Sequence, residues 1–256
     1  MKTYVISLKS ECNRRKHMIS QFNEKNVQFD FFDALTPQFA FDEAKSMGFI
    51  IKEDLISGGE VACFMSHVAL WRKMIDENIQ YLAIFEDDVI LSDDANEFLS
   101  SSSWIKHNWD IVKIEKFNKK AILSSLQIVS QNSKREVSRL LSKHYGCAGY
   151  IISLNAAKQL INYLNKNPKL IPLDHIVFEY FIPESDGVIV QLNPAICIQH
   201  SILMNTHDNF PSSLELDRRK RMKGYKKKKL AKVYLEILRV FQQLRLKLFG
   251  KNIEFK

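Results

Sequence analysis

Three consecutive carboxylates, Glu86-Asp87-Asp88, close the apolar run Tyr81-Leu82-Ala83-Ile84-Phe85 and are followed at once by Val89-Ile90. Acids crowded at a strand end repel one another, which raises their pKa values unless a cation relieves the charge. Oxygen-only donors suit Mg²⁺ or Mn²⁺, ions that commonly hold substrate phosphates. Alternate residues of an extended chain face the same side. Glu86 and Asp88 are therefore expected to point together as metal ligands. Asp87 is left to meet a ribose or backbone donors. The pattern points to a metal–diphosphate enzyme, and it equally suits a strand that ends in a polar turn.

Other residues extend the metal–phosphate reading. Arg14 and Arg15 follow an N-terminal strand pattern, and arginine forks match phosphate oxygens in two-point contacts. A solvated helix start accounts for them as well. Asp33 closes a second strand pattern, as a ribose acceptor or as a plain turn residue. His67 shares a helix face with Phe64 and Trp71, where a satisfied core histidine is the simpler account. Asp174 follows Pro172-Leu173 at a helix start. It is expected either to cap that helix or to act as general base in a shared cleft. His200, just past a predicted strand, is either a further metal ligand or a surface residue.

The elements that must position these groups read as α/β. Thr3–Leu8 and Val27–Phe32 have strand composition, and Arg14–Asn26 between them reads as helix. That order predicts a βαβ unit on a parallel sheet, whose ligands gather at strand C-terminal ends. Ser7, Arg14, Arg15, Asp33 and the acidic triplet are thereby expected along one edge. Gly58-Gly59 precedes a helix from Glu60 to Glu77, with Glu60, Phe64, His67, Trp71 and Met74 on one face. Asp93-Asp94 is expected to cap a short helix to Leu99, and Asn155 one to Leu164. Further strands are expected over Asp110–Glu115, Ala121–Val129, Gly146–Ser153, Gly187–Leu192 and Ala195–Gln199.

The chain has 256 residues and is 46% hydrophobic, enough to bury a full core in one large domain with an appendage. Its four cysteines, Cys12, Cys63, Cys147 and Cys197, form no C-x-x-C pair, which argues against a zinc knuckle and for reduced, cytosolic thiols. The N-terminal apolar stretch is too short for a signal-peptide core, and no membrane-spanning helix is expected. The overall charge of +8 hides a split. Between Asp217 and Lys251 there are fourteen lysines and arginines and only two acids, so the remaining body is mildly acidic. Leu230, Val233, Tyr234, Ile237, Val240, Phe241, Leu244 and Leu248 recur there at helical spacing. A basic helix with one apolar stripe suits an anionic membrane surface. Nucleic-acid binding leaves the stripe without a role and ranks lower. Packing on the chain's own domain, or on a homodimer partner, remains as an alternative. The chain thus divides into 1–213 and a basic amphipathic helix over 214–256.

The segments YVISLKSECNRRKHM, FDFFDALTP, GGEVACFMSHVALWRKMIDENIQYLAIFEDDVIL, GCAGYIIS and PLDHIVFEYF with QLNPAICIQ together resemble glycosyltransferase family 25. That group contains bacterial lipooligosaccharide β-galactosyltransferases and is related to collagen-modifying transferases. The resemblance implies a GT-A type, Rossmann-like fold that binds a nucleotide sugar. It implies inverting, metal-assisted transfer of a hexose, typically galactose from UDP-galactose, onto a lipooligosaccharide or lipopolysaccharide core. The expected place of action, cytoplasmic and peripheral on the inner face of the bacterial inner membrane, rests on the charge pattern of the tail. On that analogy Asp88, with Glu86 or Asp87, holds Mn²⁺ (or Mg²⁺) against the diphosphate, with His200 as a weaker candidate. Ser7, Arg14, Arg15 and Asp33 surround the uridine, Glu60 and His67 line the donor pocket, and Gly146, Gly149 and Tyr150 form the acceptor-side loop. Asp174 is the candidate base. The alternatives are a nucleotide-sugar-binding fold without transfer activity and a nucleic-acid-binding protein acting through the tail.

Overall fold

The computed structural model describes residues 1–130, 134–181, 187–204 and 240–256. It is a mixed α/β structure built on a nine-stranded sheet of order β12-β7-β8-β10-β5-β9-β3-β1-β2. Strand β1 (Lys2–Ser7), helix α1 (Cys12–Glu24) and strand β2 (Asp30–Asp33) form the expected βαβ unit, with β1 parallel to β2. The second strand starts three residues later than its composition predicts. Strand β3 (Tyr81–Glu86) lies parallel on the other side of β1.

Strands buried on both faces read as continuous apolar runs, and β1 and β3 do. Successive side chains go to opposite faces. Tyr4, Ile6, Leu82 and Ile84 enter one core, with α2 (Pro37–Ser46), α3 (Gly58–Asp76) and α5 (Leu154–Lys166). Val5, Ala83 and Phe85 enter the other, with α1 and α4 (Ala95–Leu99). The result is three layers around the parallel strands.

The register fixes where the site falls. Ser7 pairs with Asp33, and Ile6 with Glu86. Three parallel strands therefore end level. Strand β9 (Gly149–Ser153) runs antiparallel beside β3, with Gly149 opposite Phe85, so the loop preceding β9 arrives at the same edge. Beyond β9 come β5 (Ile111–Lys113) and β10 (Ile189–Asn193), parallel to each other. The hairpin β7 (Lys120–Ser130) and β8 (Arg135–Leu140) then continues the sheet antiparallel. A small sheet, β4 (Val89–Leu91), β11 (Cys197–Gln199) and β6 (Glu115–Lys116), sets Gln199 opposite Val89, next to the acidic triplet.

Two expected caps work differently. At α5 the Ser153 hydroxyl accepts from the Ala156 N–H, while the Asn155 amide is spent on Asp110. At α4 Asp94 makes no capping bond. Its carboxylate pairs instead with both Arg135 nitrogens that face it. Arg135, almost fully buried, also donates to the carbonyls of Pro194, Ala195 and Lys256.

That last contact ties the end of the chain to the body. Strand β12 (Gly250–Asn252) pairs with β7, and Ala195 donates to the Glu254 carbonyl. Residues 250–252 thus belong to the main sheet, and Phe255 bridges to Ala195 beside it. The expected boundary at 213/214 and most of the expected basic helix lie outside the described residues. Residues 240–249 are helical.

Candidate active site

The acidic triplet sits at the C-terminal edge of β3, and its three members face different partners. Asp87 accepts a 2.6 Å bond from Arg14, which α1 carries across from the end of β1. Asp88 lies 3.9 Å from the same guanidinium and accepts from the Gln199 amide at 3.3 Å on both carboxylate oxygens. Glu86 turns toward α3, where its Oε1 is 3.6 Å from Cys63 Sγ and 3.8 Å from His67 Nε2. Only one acid of the three is closely compensated by a fixed cation.

The electrostatics follow from that division. Burial, then the charges of Glu86 and Asp87, push the Asp88 carboxyl up to about 7. Burial also pushes Glu86 upward, but the His67 ring and the Cys63 thiol outweigh it and hold Glu86 below the usual carboxylate value. The Cys63 thiol is driven well above its ordinary value by burial and then by the charges of Glu86, Asp174 and Asp88. Three carboxylates from two distant segments therefore act on one thiol.

Asp174 opens the short helix α6 (Leu173–His175), which continues as a π-helical turn, Ile176–Tyr180. Its Oδ2 accepts the Gly146 N–H at 3.3 Å and its Oδ1 the His175 N–H at 2.9 Å. Gly146 has φ +82°, and a Cβ there would stand 2.7 Å from both the Glu115 carboxylate and the Phe117 ring. Glycine is required on both counts. Gly149 is needed for packing, since a Cβ would fall 2.2 Å from Cys197 Sγ.

The expected donor-side residues gather along the rim. Arg15 donates to the Asp33 carboxylate at 2.6 Å and to the carbonyls of Ser7 and Leu8, while Lys9 meets Asp33 at 3.0 Å. Ser7 itself is buried, its hydroxyl directed at the Leu8 carbonyl. Glu60 closes a capping box with Ser57 at the start of α3.

Three further expected site residues have interior or neighbouring-ring contacts. His67 is fully buried, with Nδ1 2.8 Å from the Tyr150 hydroxyl. Tyr150, expected on the acceptor side, is itself fully buried and accepts from the Trp71 indole at 3.0 Å. Its hydroxyl thereby joins His67 and Trp71 of α3. His200, expected to ligate a metal, stacks its ring edge-on to His17 at 6.2 Å. Its backbone N–H is bonded to the Asp88 carbonyl at 2.8 Å.

Sequence reasoning passed over Lys113 and Glu115, a fully buried ion pair at 2.9 Å. Lys113 also donates to the Gly146 carbonyl at 2.6 Å, and Glu115 accepts the Ala148 N–H at 3.1 Å. The pair thereby clamps the loop that holds Asp174. The available signal was two opposite charges on the same face of an otherwise apolar strand, Ile111-Val112-Lys113-Ile114-Glu115.

A nucleotide-sugar enzyme is the class this edge describes: level parallel strand ends, an arginine-lined rim and clustered acids. The chain belongs to glycosyltransferase family 25, whose family model, described as an LPS biosynthesis protein, matches residues 1–177. A putative glycosyltransferase of Haemophilus influenzae is 35% identical, covering 99% of this chain and 88% of its own length. The lipooligosaccharide biosynthesis protein lex-1 of the same organism is 35% identical over 88% of this chain and 85% of its own. The lacto-N-neotetraose biosynthesis glycosyltransferase LgtE of Neisseria meningitidis is 34% identical, covering 85% and 82%. The matched region contains the acidic triplet, α3, the Gly146 loop and Asp174.

Proposed function

We propose that this protein is an inverting, metal-dependent hexosyltransferase of GT-A type that moves galactose from UDP-galactose onto a lipooligosaccharide core. The observation that carries the proposal is the acidic triplet at the edge where β1, β2 and β3 end, with Arg14 on Asp87 and Gln199 on Asp88. The names of the relatives support the acceptor class.

The donor set fits a hard divalent cation. Asp88 offers carboxylate oxygens beside Glu86, and the crowding that lifts its pKa to about 7 is what a cation relieves. Asp88 is the principal ligand and Glu86 the second. Asp87 is already matched by Arg14. Mn²⁺ or Mg²⁺, when bound, supplies charge stabilisation to the departing diphosphate.

The chain's own groups do the rest. Arg14, Arg15 and Asp33 orient the nucleotide along the rim, and the buried Ser7 holds Arg15 through its carbonyl. Asp174, aimed by the Gly146 N–H, accepts the proton of an acceptor hydroxyl as that oxygen bonds to the anomeric carbon. The bond from the anomeric carbon to the UDP oxygen breaks, and UDP leaves with the electron pair. Attack opposite the leaving group inverts the centre.

We also propose peripheral association with the cytoplasmic leaflet of the inner membrane. Val240, Phe241, Leu244 and Leu248 are all exposed on the helix 240–249, with Arg245 and Lys247 beside them. Among the described residues no helix is long and apolar enough to cross a membrane. Anionic liposomes should sediment the full chain and not one carrying Val240→Ser, Phe241→Ser, Leu244→Ser and Leu248→Ser together, which keeps strand β12.

UDP release from UDP-galactose, measured with and without Mn²⁺ and a lipooligosaccharide acceptor, tests the main proposal. Release should require both, and Asp174→Asn should slow it by about 10²–10⁴-fold with donor affinity kept. Donor binding without turnover across several UDP-sugars and acceptors would favour the non-transferring alternative.

A further inference from the structure

Cys63 and His67 stand one turn apart on α3 and face Glu86 across the layer boundary. Their Sγ and Nε2 atoms and a Glu86 carboxylate oxygen all lie within 4.8 Å of one another. No other group of three or more such donors among the described residues is as close. The mechanism above uses only Glu86 from this trio.

Two separations characterise the cluster. Sγ to Oε1 is 3.6 Å and Nε2 to Oε1 is 3.8 Å. The second is beyond hydrogen-bond reach, and His67 Nε2 is buried without a hydrogen-bond partner. A tetrahedral zinc ion, with bonds of about 2.3 Å to sulfur and about 2.0 Å to nitrogen and oxygen, holds its donors roughly 3.3–3.5 Å apart. The two gaps to the Glu86 oxygen need to contract by only a few tenths of an ångström to meet those edges, and the third donor pair lies within 4.8 Å.

The surroundings are also those of a ligating histidine. Metal-bound imidazoles are usually oriented through their other nitrogen. Here Nδ1 is 2.8 Å from the Tyr150 hydroxyl, whose oxygen also accepts from Trp71. The two lone pairs of that oxygen accommodate both donors. In the metal-bound form Nδ1–H is given to Tyr150 and the Nε2 lone pair, on the side of Glu86, goes to the ion. The rings of His67 and Tyr150 stack at 5.7 Å, which holds the imidazole plane.

We propose that Cys63, His67 and Glu86 form a binding site for a borderline-soft divalent cation of the zinc class. One sulfur, one nitrogen and one oxygen select zinc or cobalt over magnesium or manganese. Three protein ligands leave a fourth position open. Binding displaces the Cys63 proton, so it strengthens as pH rises. The site shares Glu86 with the oxygen-donor site at Asp88. Zinc held there withdraws that carboxylate, so it inhibits transfer at low Mn²⁺. This consequence rests on the transferase reading, whereas the site itself does not.

Cobalt supplies a test that needs no turnover. One equivalent of Co²⁺ added to the untagged full chain should give a thiolate-to-cobalt charge-transfer band in the near ultraviolet. The band should vanish in Cys63→Ser, persist in Cys12→Ser and Asp88→Asn, and be abolished by one equivalent of Zn²⁺. Zinc-edge X-ray absorption of the wild-type chain at one equivalent should show one sulfur among light-atom neighbours, which covers the case of a variant that fails to fold. A featureless cobalt spectrum, a band that survives Cys63→Ser, or a zinc shell without sulfur would overturn the proposal. If the cobalt band appears and UDP release does not, the site stands and the transferase reading fails.

Discussion

At the rim of the site Arg15 and Lys9 meet Asp33, whose side chain is 48% exposed, and Arg14 meets Asp87 just inside it. Behind the rim, Lys113 and Glu115 pair with no exposed surface at all. Pairs near water contribute little to stability and exchange readily, so a phosphate or ribose can compete for the rim groups. A desolvated pair is costly to disturb once formed. The rim is thus suited to meeting a ligand, while the interior pair fixes the Gly146 loop and, through it, Asp174.

Asp88 stands between the two regions, and changing it should have the largest effect. Asp88→Ala should abolish UDP release while leaving the fold intact by circular dichroism. Near-normal turnover would remove Asp88 from the metal shell. Lys113→Met comes next and should act on the interior. It leaves Glu115 buried and unpaired, at a cost of roughly 3–5 kcal/mol in urea unfolding. Adding Glu115→Gln should recover part of that loss. A single-mutant cost below ~1 kcal/mol would place Lys113 among the rim-like pairs.

His144 sharpens the contrast through pH. It is fully buried, and burial, then the Lys113 charge, depress its pKa to about 3. The unfolded chain binds that proton near pH 6.5, so the stabilisation is complete above that value. It is lost as pH falls from about 6.5 toward 3. His144→Gln should flatten the unfolding free energy across that window. An unchanged pH slope would show that another group titrates there. The smallest change is expected from Asp33→Ala. It should cost at most ~1 kcal/mol of stability and appear mainly as a higher KM for the UDP-sugar. A collapse of kcat instead would move Asp33 from the rim into the catalytic interior.

The rim was legible because it depends on local pattern. Thr3–Leu8, the arginines after it, Asp33 and the acids after Phe85 all follow strand runs, and parallel strands of this kind end level. The Glu60 helix was legible from its one-sided apolar face. The interior was not, because it depends on which strands become neighbours. Nothing in Gly146–Ser153 says that it inserts antiparallel between β3 and β5, and that insertion is what sets Tyr150 on His67 and Lys113 under Gly146. Arg135 was hidden for the same reason: its partners come from Asp94, Pro194 and the last residue of the chain. Asn155 was misread as a cap because Ser153, two residues earlier, competes for the same helix end. Helix α2, from Pro37 to Ser46, went unnoticed.

A crystal structure with Mn²⁺ and a non-transferable UDP-galactose analogue tests the central claim most directly. The account predicts that the Asp88 carboxylate would hold the ion. It predicts Asp174 on the face of the anomeric carbon opposite the UDP oxygen, with Arg14 and Arg15 along the nucleotide. An ion held by Asp87 without Asp88, or Asp174 on the same side as the leaving group, would contradict it.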